Sequence, residues 1–175
     1  EDEKRFYTWT LQSHIDLAKA VWLDYCECKM IDTIAREPLW RHLINYRCGT
    51  GHSVSFVGNV HEGPHALNSR NTTRMRPGMV VTDEPGVYET DLVGVRIENE
   101  LVCVHKADNQ YGTFLAFRPL TFVPIATSPV VPGILTKDEI EWLNAYHREV
   151  FTKLAPRLTE EERDWLAKKC AAIGA

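Results

Sequence analysis

The chain has 175 residues, of which 44% are hydrophobic, enough length and apolar side chain for one domain with a sizeable core. A formal charge of −4 argues against a nucleic-acid binder, since proteins that grip a phosphate backbone carry a basic excess; the basic run Arg70–Arg76 reads as a solvated loop. No apolar stretch is long enough to span a bilayer and the start Glu1-Asp2-Glu3-Lys4-Arg5 is unlike a signal peptide, while Cys26, Cys28, Cys48, Cys103 and Cys170 form an odd, scattered set that fits reduced thiols in a cytoplasmic protein better than a disulfide framework or a cysteine-only metal site.

In chain order, Phe6, Trp9, Leu11, Ile15, Leu17, Ala18 and Val21 recur at helical spacing and predict a helix from Glu3 to Leu23. A second helix is predicted over Ile31–Ile44, with Ile31, Ile34, Ala35, Leu39 and Leu43 on one side and Pro38 kinking or breaking it. Asp24–Lys29 is then the connection. From Gly49 onward glycine and proline punctuate short apolar runs, Val54–Val57, Met79–Thr82, Val93–Ile97, Leu101–Val104 and Thr113–Phe117, which predict strands. Connections as short as Glu98-Asn99-Glu100 favour hairpins in an antiparallel sheet. Thr121–Leu135, rich in proline, predicts an extended link. Thr136-Lys137-Asp138-Glu139 and Thr159-Glu160-Glu161-Glu162 each fit a capping box that opens a helix. Those two helices carry Ile140, Leu143, Tyr146, Val150 and Phe151, then Trp165, Leu166 and Ile173, and such apolar stripes cover a sheet face or a partner subunit.

Four stretches carry the chemistry: Gly49-Thr50-Gly51-His52, Asn59-Val60-His61-Glu62-Gly63-Pro64, Thr82-Asp83-Glu84-Pro85-Gly86 and Arg96-Ile97-Glu98-Asn99. Histidine nitrogen with carboxylate oxygen is a ligand set for a divalent metal such as Mn, Zn or Co. Singly, each stretch has a plainer reading as a turn, a charged strand face or a surface histidine. His14, His42, His65, His105 and His147 read as structural or surface residues, with His65 near enough to the second stretch to line a pocket.

Taken together and in this order, the four stretches resemble the C-terminal half of the catalytic domain of the Xaa-Pro aminopeptidases (aminopeptidase P), dinuclear metallopeptidases of the creatinase/methionine-aminopeptidase group. The resemblance implies an α+β fold: half of a pita-bread domain, an antiparallel sheet flanked by helices, over residues 1–120, and a helical C-terminal extension over 121–175 that packs on the domain or on a dimer partner. It implies hydrolysis of an N-terminal Xaa-Pro bond by water activated at two divalent metals, manganese first, with zinc or cobalt as alternatives. His52, Glu84 and Glu98 correspond to metal ligands, with Glu84 also the general base and Glu98 the bridging carboxylate. His61 corresponds to a non-ligand histidine that donates to the scissile carbonyl. Arg96 would orient acidic neighbours or substrate, so that the catalytic set is His61, Glu84 and Arg96 and the substrate contacts are Cys48, His61 and Arg96. Trp40 also fits the pattern, as it fits a core aromatic. The implied partners are a peptide with proline second and a second copy of the chain, with no nucleic acid or membrane.

The pattern departs from the family in three places. Two aspartate ligands expected upstream are missing, since Asp16, Asp24 and Asp32 lack the strand-and-glycine setting; the chain therefore reads as an isolated domain, a cleavage product or a truncated gene product. Cys48 stands where relatives carry the first histidine of His-Gly-Thr-Gly-His, and Ser53-Val54-Ser55 replaces the commoner Gly-x-Gly. A prolidase-type dipeptidase and a metal-free interaction module are the competing readings.

Overall fold

Antiparallel strand pairing and two helices built on the predicted apolar spacings organise the larger part of the chain. The computed structural model describes residues 2–174 and divides into two units, Trp9–Thr121 and Glu1–Thr8 with Phe122–Ala175. Helix α1 spans Asp2–Ala18, and α2 spans Cys28–Trp40. The strands are β1 (Val21–Leu23), β2 (Gly51–His52), β3 (Ala66–Leu67), β4 (Val80–Asp83), β5 (Gly86–Glu89), β6 (Val93–Arg96), β7 (Asn99–Asn109) and β8 (Gly112–Pro119). They form a four-stranded sheet in the order β1-β8-β7-β4 and two ribbons, β2-β3 and β5-β6, all paired antiparallel. Along β7 the residues Asn99, Leu101 and Cys103 are buried while their neighbours are half-exposed, the two-residue alternation of a strand with one covered face. The core gathers Leu11, Ile15 and Leu17 of α1, Ile31, Ala35 and Leu39 of α2, and Leu67, Val81, Leu101 and Leu115 of the strands.

Several predicted boundaries shift, each for a local reason. The first helix stops at Ala18, and Val21–Leu23 pairs instead with Phe114–Ala116 of β8; Trp22 turns inward onto Phe117, ring centroids 4.5 Å apart. The run Ala20-Val21-Trp22-Leu23 satisfies helical and strand periods alike, and cross-strand pairing decides between them. The second helix begins at Cys28, where the loop Asn71–Thr73 accepts the Cys28 and Lys29 amides, and ends two residues beyond Pro38. Leu43, expected on its apolar face, lies past the end at φ 59° and is 97% exposed. Val54–Val57 is a loop and not a strand. The hairpin expected at Glu98-Asn99-Glu100 is absent, because β6 pairs with β5 whereas β7 pairs with β4 and β8. Ile97 and Glu98 therefore carry the chain from one sheet to another.

In the second unit both capping boxes close as predicted at α3 (Lys137–Leu154) and α4 (Glu160–Lys169). Glu139 donates its amide to Thr136 Oγ1 at 3.3 Å and accepts from the Thr136 amide at 2.6 Å, a cap of about 1 kcal/mol. Helix α3 buries Ile140, Leu143, Tyr146, His147 and Val150. Tyr146 Oη donates to the Val123 carbonyl at 2.9 Å, and the Ile125 amide donates to His147 Nε2 at 3.1 Å, so the proline-rich link is pinned to the helix. On α4 only Leu166 is buried, and Trp165, expected in the apolar stripe, is exposed.

Burial holds the His147 imidazole below its ordinary pKa. The folded unit therefore keeps this ring neutral where the unfolded chain takes up a proton, and stability falls as pH drops below the unfolded value of about 6.5. Urea melts between pH 7.5 and 5.5 should show that loss, and His147→Gln, which keeps an acceptor for Ile125 without titrating, should flatten this component.

Candidate metal centre

The centre is assembled from the ends of three strands, and its entrance is set by a buried ion pair on α2. Arg36 Nε donates to Asp32 Oδ2 at 2.7 Å, while its other nitrogens donate to the carbonyls of Tyr46 (2.8 Å) and Cys48 (2.9 Å). Asp32 Oδ1 accepts from Thr50 Oγ1 at 2.5 Å. A pair so buried depends on all of its hydrogen bonds being made, and here those bonds hold the chain from Tyr46 to Thr50 that leads into β2.

At Gly51 that chain presses onto β4. A β-carbon placed there would lie 1.7 Å from the Thr82 carbonyl oxygen, so only glycine permits the approach. The contact is then tied on both sides. The His52 amide donates to Thr82 Oγ1 at 2.9 Å and the Glu84 amide donates to the Thr50 carbonyl at 2.7 Å. Thr82 Oγ1 also donates to Glu84 Oε1 at 3.1 Å, so one hydroxyl sets both the His52 backbone and the Glu84 carboxylate.

His52 Nε2 lies 3.1 Å from Glu84 Oε1, and one ligand atom each from His52, Glu84 and Glu98 falls within 4.8 Å of the others. His52 Nδ1 faces the Ser53 carbonyl at 3.1 Å, which puts the ring proton there and leaves the Nε2 lone pair toward the carboxylates. Arg96 clasps Glu84 twice, at its carboxylate and, at 2.6 Å, at its backbone carbonyl. Its Nε donates to Tyr88 Oη at 2.9 Å. The guanidinium can lie there because residue 86 is glycine: a β-carbon would sit 2.6 Å from Arg96 Nε. Cys48 Sγ is 3.9 Å from Arg96 Nη2. Glu98, more exposed, has its carboxyl pKa raised by partial burial and then by the charge of Glu84. His61 meets the His52 ring edge-on at 4.1 Å; its loop is gathered by hydrogen bonds from the Ser53 amide to the His65 carbonyl (3.2 Å) and from the Glu62 amide to the Ser53 carbonyl (3.1 Å).

This donor set fits a divalent cation. One imidazole nitrogen and two carboxylates converge, and a cation held by them would offset the burial and the Glu84 repulsion that together raise the Glu98 pKa. Among the described residues no other group of three or more histidine, cysteine or carboxylate side chains meets the same test. Asp32, one of the three upstream aspartates weighed in the sequence, is committed to Arg36 and Thr50. Of the residues read from the sequence, His52, Glu84, Glu98, His61, Arg96 and Cys48 come together; Trp40 lies apart and donates to Asn45 Oδ1 at 3.1 Å.

Sequence reading missed four residues here. Thr82 and Tyr88 support Glu84 and Arg96, and Asp83 and Asn99 are buried beside the ligand positions. Asp83 Oδ2 lies 3.2 Å from His14 Nδ1, both side chains fully buried, and burial raises the Asp83 pKa although His14 opposes the shift. The available signal was an aspartate in an apolar strand, one position out of phase with Glu84.

The profile described as metallopeptidase family M24 matches residues 1–105, and that of the C-terminal region of peptidase M24 matches residues 113–173. Aminopeptidase P2 of Arabidopsis thaliana is 43% identical over 171 residues, 94% of this chain and 24% of that protein. The crystal structure of X-prolyl aminopeptidase from Caenorhabditis elegans, described as a cytosolic enzyme with a di-nuclear active site, superposes with TM-score 0.91 at 37% identity, covering 99% of this chain and 29% of that one. Prolidase from Pyrococcus furiosus covers 69% of this chain and 33% of its own, with TM-score 0.58 and 27% identity. The antiparallel sheet and its helices are thus those of the pita-bread aminopeptidase fold, and the chain spans about a quarter to a third of the length of these relatives.

Gly51→Ala forces β2 off β4, because the clash is with backbone and not with a movable side chain. Overpacking of this kind costs about 1–3 kcal/mol or more. The variant should melt several degrees lower and lose divalent-ion binding, read by thermal melts and Mn²⁺ titration.

Proposed function

The chain belongs to metallopeptidase family M24, and from that premise we propose that it works as part of an Xaa-Pro aminopeptidase, releasing the N-terminal residue of peptides with proline second. The observation that carries this reading is the convergence of His52, Glu84 and Glu98 within 4.8 Å, with the His61 ring set against His52. A metal-free scaffold has no need of that arrangement. The match to the Caenorhabditis elegans enzyme along 99% of the chain, against 69% for the prolidase, favours an aminopeptidase over a dipeptidase.

Divalent ions held here would supply a water of lowered pKa and polarise the scissile carbonyl. The side chains divide the remaining work. His52, Glu84 and Glu98 are the residues that would hold a divalent ion. Glu84 takes the proton of the attacking water; its carboxylate is kept in place by Thr82 and by Arg96. His61 donates a hydrogen bond to the carbonyl oxygen as negative charge develops on it, the kind of contact that strengthens in the transition state. Cys48, 3.9 Å from Arg96, lines a cleft of about 520 Å³ with Gly86, Tyr88 and Glu89, where we seat the substrate's amino end.

Three donors suffice for one ion. The di-nuclear centre described for the nematode relative then calls for two further carboxylates, which we assign to chain beyond residues 1–175. Manganese is the proposed ion, a homodimer the proposed assembly and the cytoplasm the proposed compartment. The peptidase portion is taken as residues 1–120 and the helical extension as 121–175.

In the whole protein, His61→Ala should lower kcat/KM on an Xaa-Pro peptide by about 10²–10³-fold with the melting temperature unchanged, and chelation should abolish turnover until Mn²⁺ is restored. Undiminished turnover in His61→Ala would instead favour the interaction-module reading.

A further inference from the structure

Behind the carboxylates, on the buried side of the sheet, lies a second polar cluster that the proposed reaction does not use. Asp83 and Asn99 are register partners at the ends of β4 and β7. Each adjoins a metal-centre carboxylate in sequence, Glu84 and Glu98 respectively. Successive side chains of a strand alternate faces, so the pair that turns inward is tied by backbone to the pair that turns toward the metal centre. His14, from α1, reaches both inward members. Its Nδ1 is 3.2 Å from Asp83 Oδ2, and Asn99 Nδ2 donates to its Nε2 at 3.3 Å. With Nε2 accepting, the ring proton is placed on Nδ1, whose contact with Asp83 is a close approach at 3.2 Å without hydrogen-bond alignment. All three side chains are buried: His14 and Asp83 fully, Asn99 to 3% exposure.

A carboxylate removed from water is costly unless it is partnered, and placing one at this point of an apolar strand does nothing for packing alone. We infer that His14 is a positioning residue for the metal centre: by bridging Asp83 and Asn99 it locks the ends of β4 and β7 together and so sets the separation of the Glu84 and Glu98 carboxylates. The inference rests on the metallopeptidase reading above. It differs from the direct support that Thr82 and Arg96 give Glu84, because it acts on both carboxylates through the backbone. Outer partners of this sort characteristically change metal affinity when removed.

The test uses the whole protein, with Mn²⁺ as the probe, and reads two quantities for each variant: the dissociation constant for Mn²⁺ from calorimetric titration at 20 °C, and the melting temperature of the metal-free protein. His14→Leu should weaken Mn²⁺ binding by about 10–100-fold at a temperature where the variant is still folded. His14→Gln can donate to Asp83 and accept from Asn99, and should restore binding to within about threefold of wild type on the same scale. If His14 served stability only, His14→Leu would lower the melting temperature and leave the Mn²⁺ constant unchanged, and that result overturns the inference. Should His14→Leu fail to fold, Asn99→Ala keeps the His14–Asp83 pair and releases only β7; it should still weaken binding severalfold, and unchanged binding there overturns the inference equally. Wild-type protein that takes up no Mn²⁺ and cleaves no Xaa-Pro peptide would overturn the metallopeptidase reading and this inference with it, whereas a wild type that does both while the variants bind normally overturns this inference alone.

Discussion

Two like charges held close together are the constraint from which the rest of this structure follows. Glu84 and Glu98 bring carboxylate oxygens into one small volume with His52. Two unit charges 4 Å apart repel by about 1 kcal/mol in bulk water and about 4 kcal/mol near a protein surface. Left to themselves the side chains would turn apart. They do not, because both are carried on short backbone segments whose other bonds are already made: Glu84 leaves β4 with its amide bonded to Thr50 and its carboxylate bonded to Thr82 and Arg96, and Glu98 sits between β6 and β7, each paired to a different strand. The Glu98 carboxyl pKa is raised, first by partial burial and then by the charge of Glu84.

Two arginines do the positioning, by different means. Arg36 is buried and spends its donors on Asp32 and on backbone carbonyls, so it shapes the path of the chain into β2. Arg96 is half-exposed and holds the Glu84 carboxylate from the solvent side. Its planar fork can serve the carboxylate, the Glu84 carbonyl and Tyr88 together, which a lysine ammonium at the end of a flexible stem could not. Glycines 51 and 86 make room for these arrangements by leaving out a β-carbon where backbone or guanidinium must pass.

Three of the candidate residues drew notice because turn signals stand beside them, Gly-Thr-Gly before His52, Gly-Pro after His61 and Pro-Gly after Glu84, while their grouping with Glu98 as a ligand set came from the order of the four stretches and the family resemblance. The two threonine caps were readable because each is complete within four residues. What could not be read depends on partners far along the chain. Val21-Trp22-Leu23 becomes a strand only because β8 is there to receive it. Glu98 looks like part of a hairpin until β6 and β7 find different neighbours. Val54–Val57 has the composition of a strand but no edge to pair with, and Phe56 and Val57 stand in solvent. His14 and Asp83 carry no shared motif, and the reading of His14 as a structural residue described its burial without its connection to the ligand strands.

That connection also bears on the order in which the molecule comes together. His14 and Asn99 are 85 positions apart, whereas Arg96 and Glu84 are separated by 12. The length-dependent entropy of closing a flexible loop grows as (3/2)RT ln n, about 4 kcal/mol for the longer span and about 2 kcal/mol for the shorter. Local ribbons such as β5-β6 and β7-β8 close short loops, whereas the contact that fixes the spacing of the carboxylates closes a long one and needs α1 docked on the sheet. Leu11, Ile15 and Leu17 of the same helix are core residues, so the docking that sets the carboxylate spacing is the docking that closes the core, and the centre and the core would be lost together.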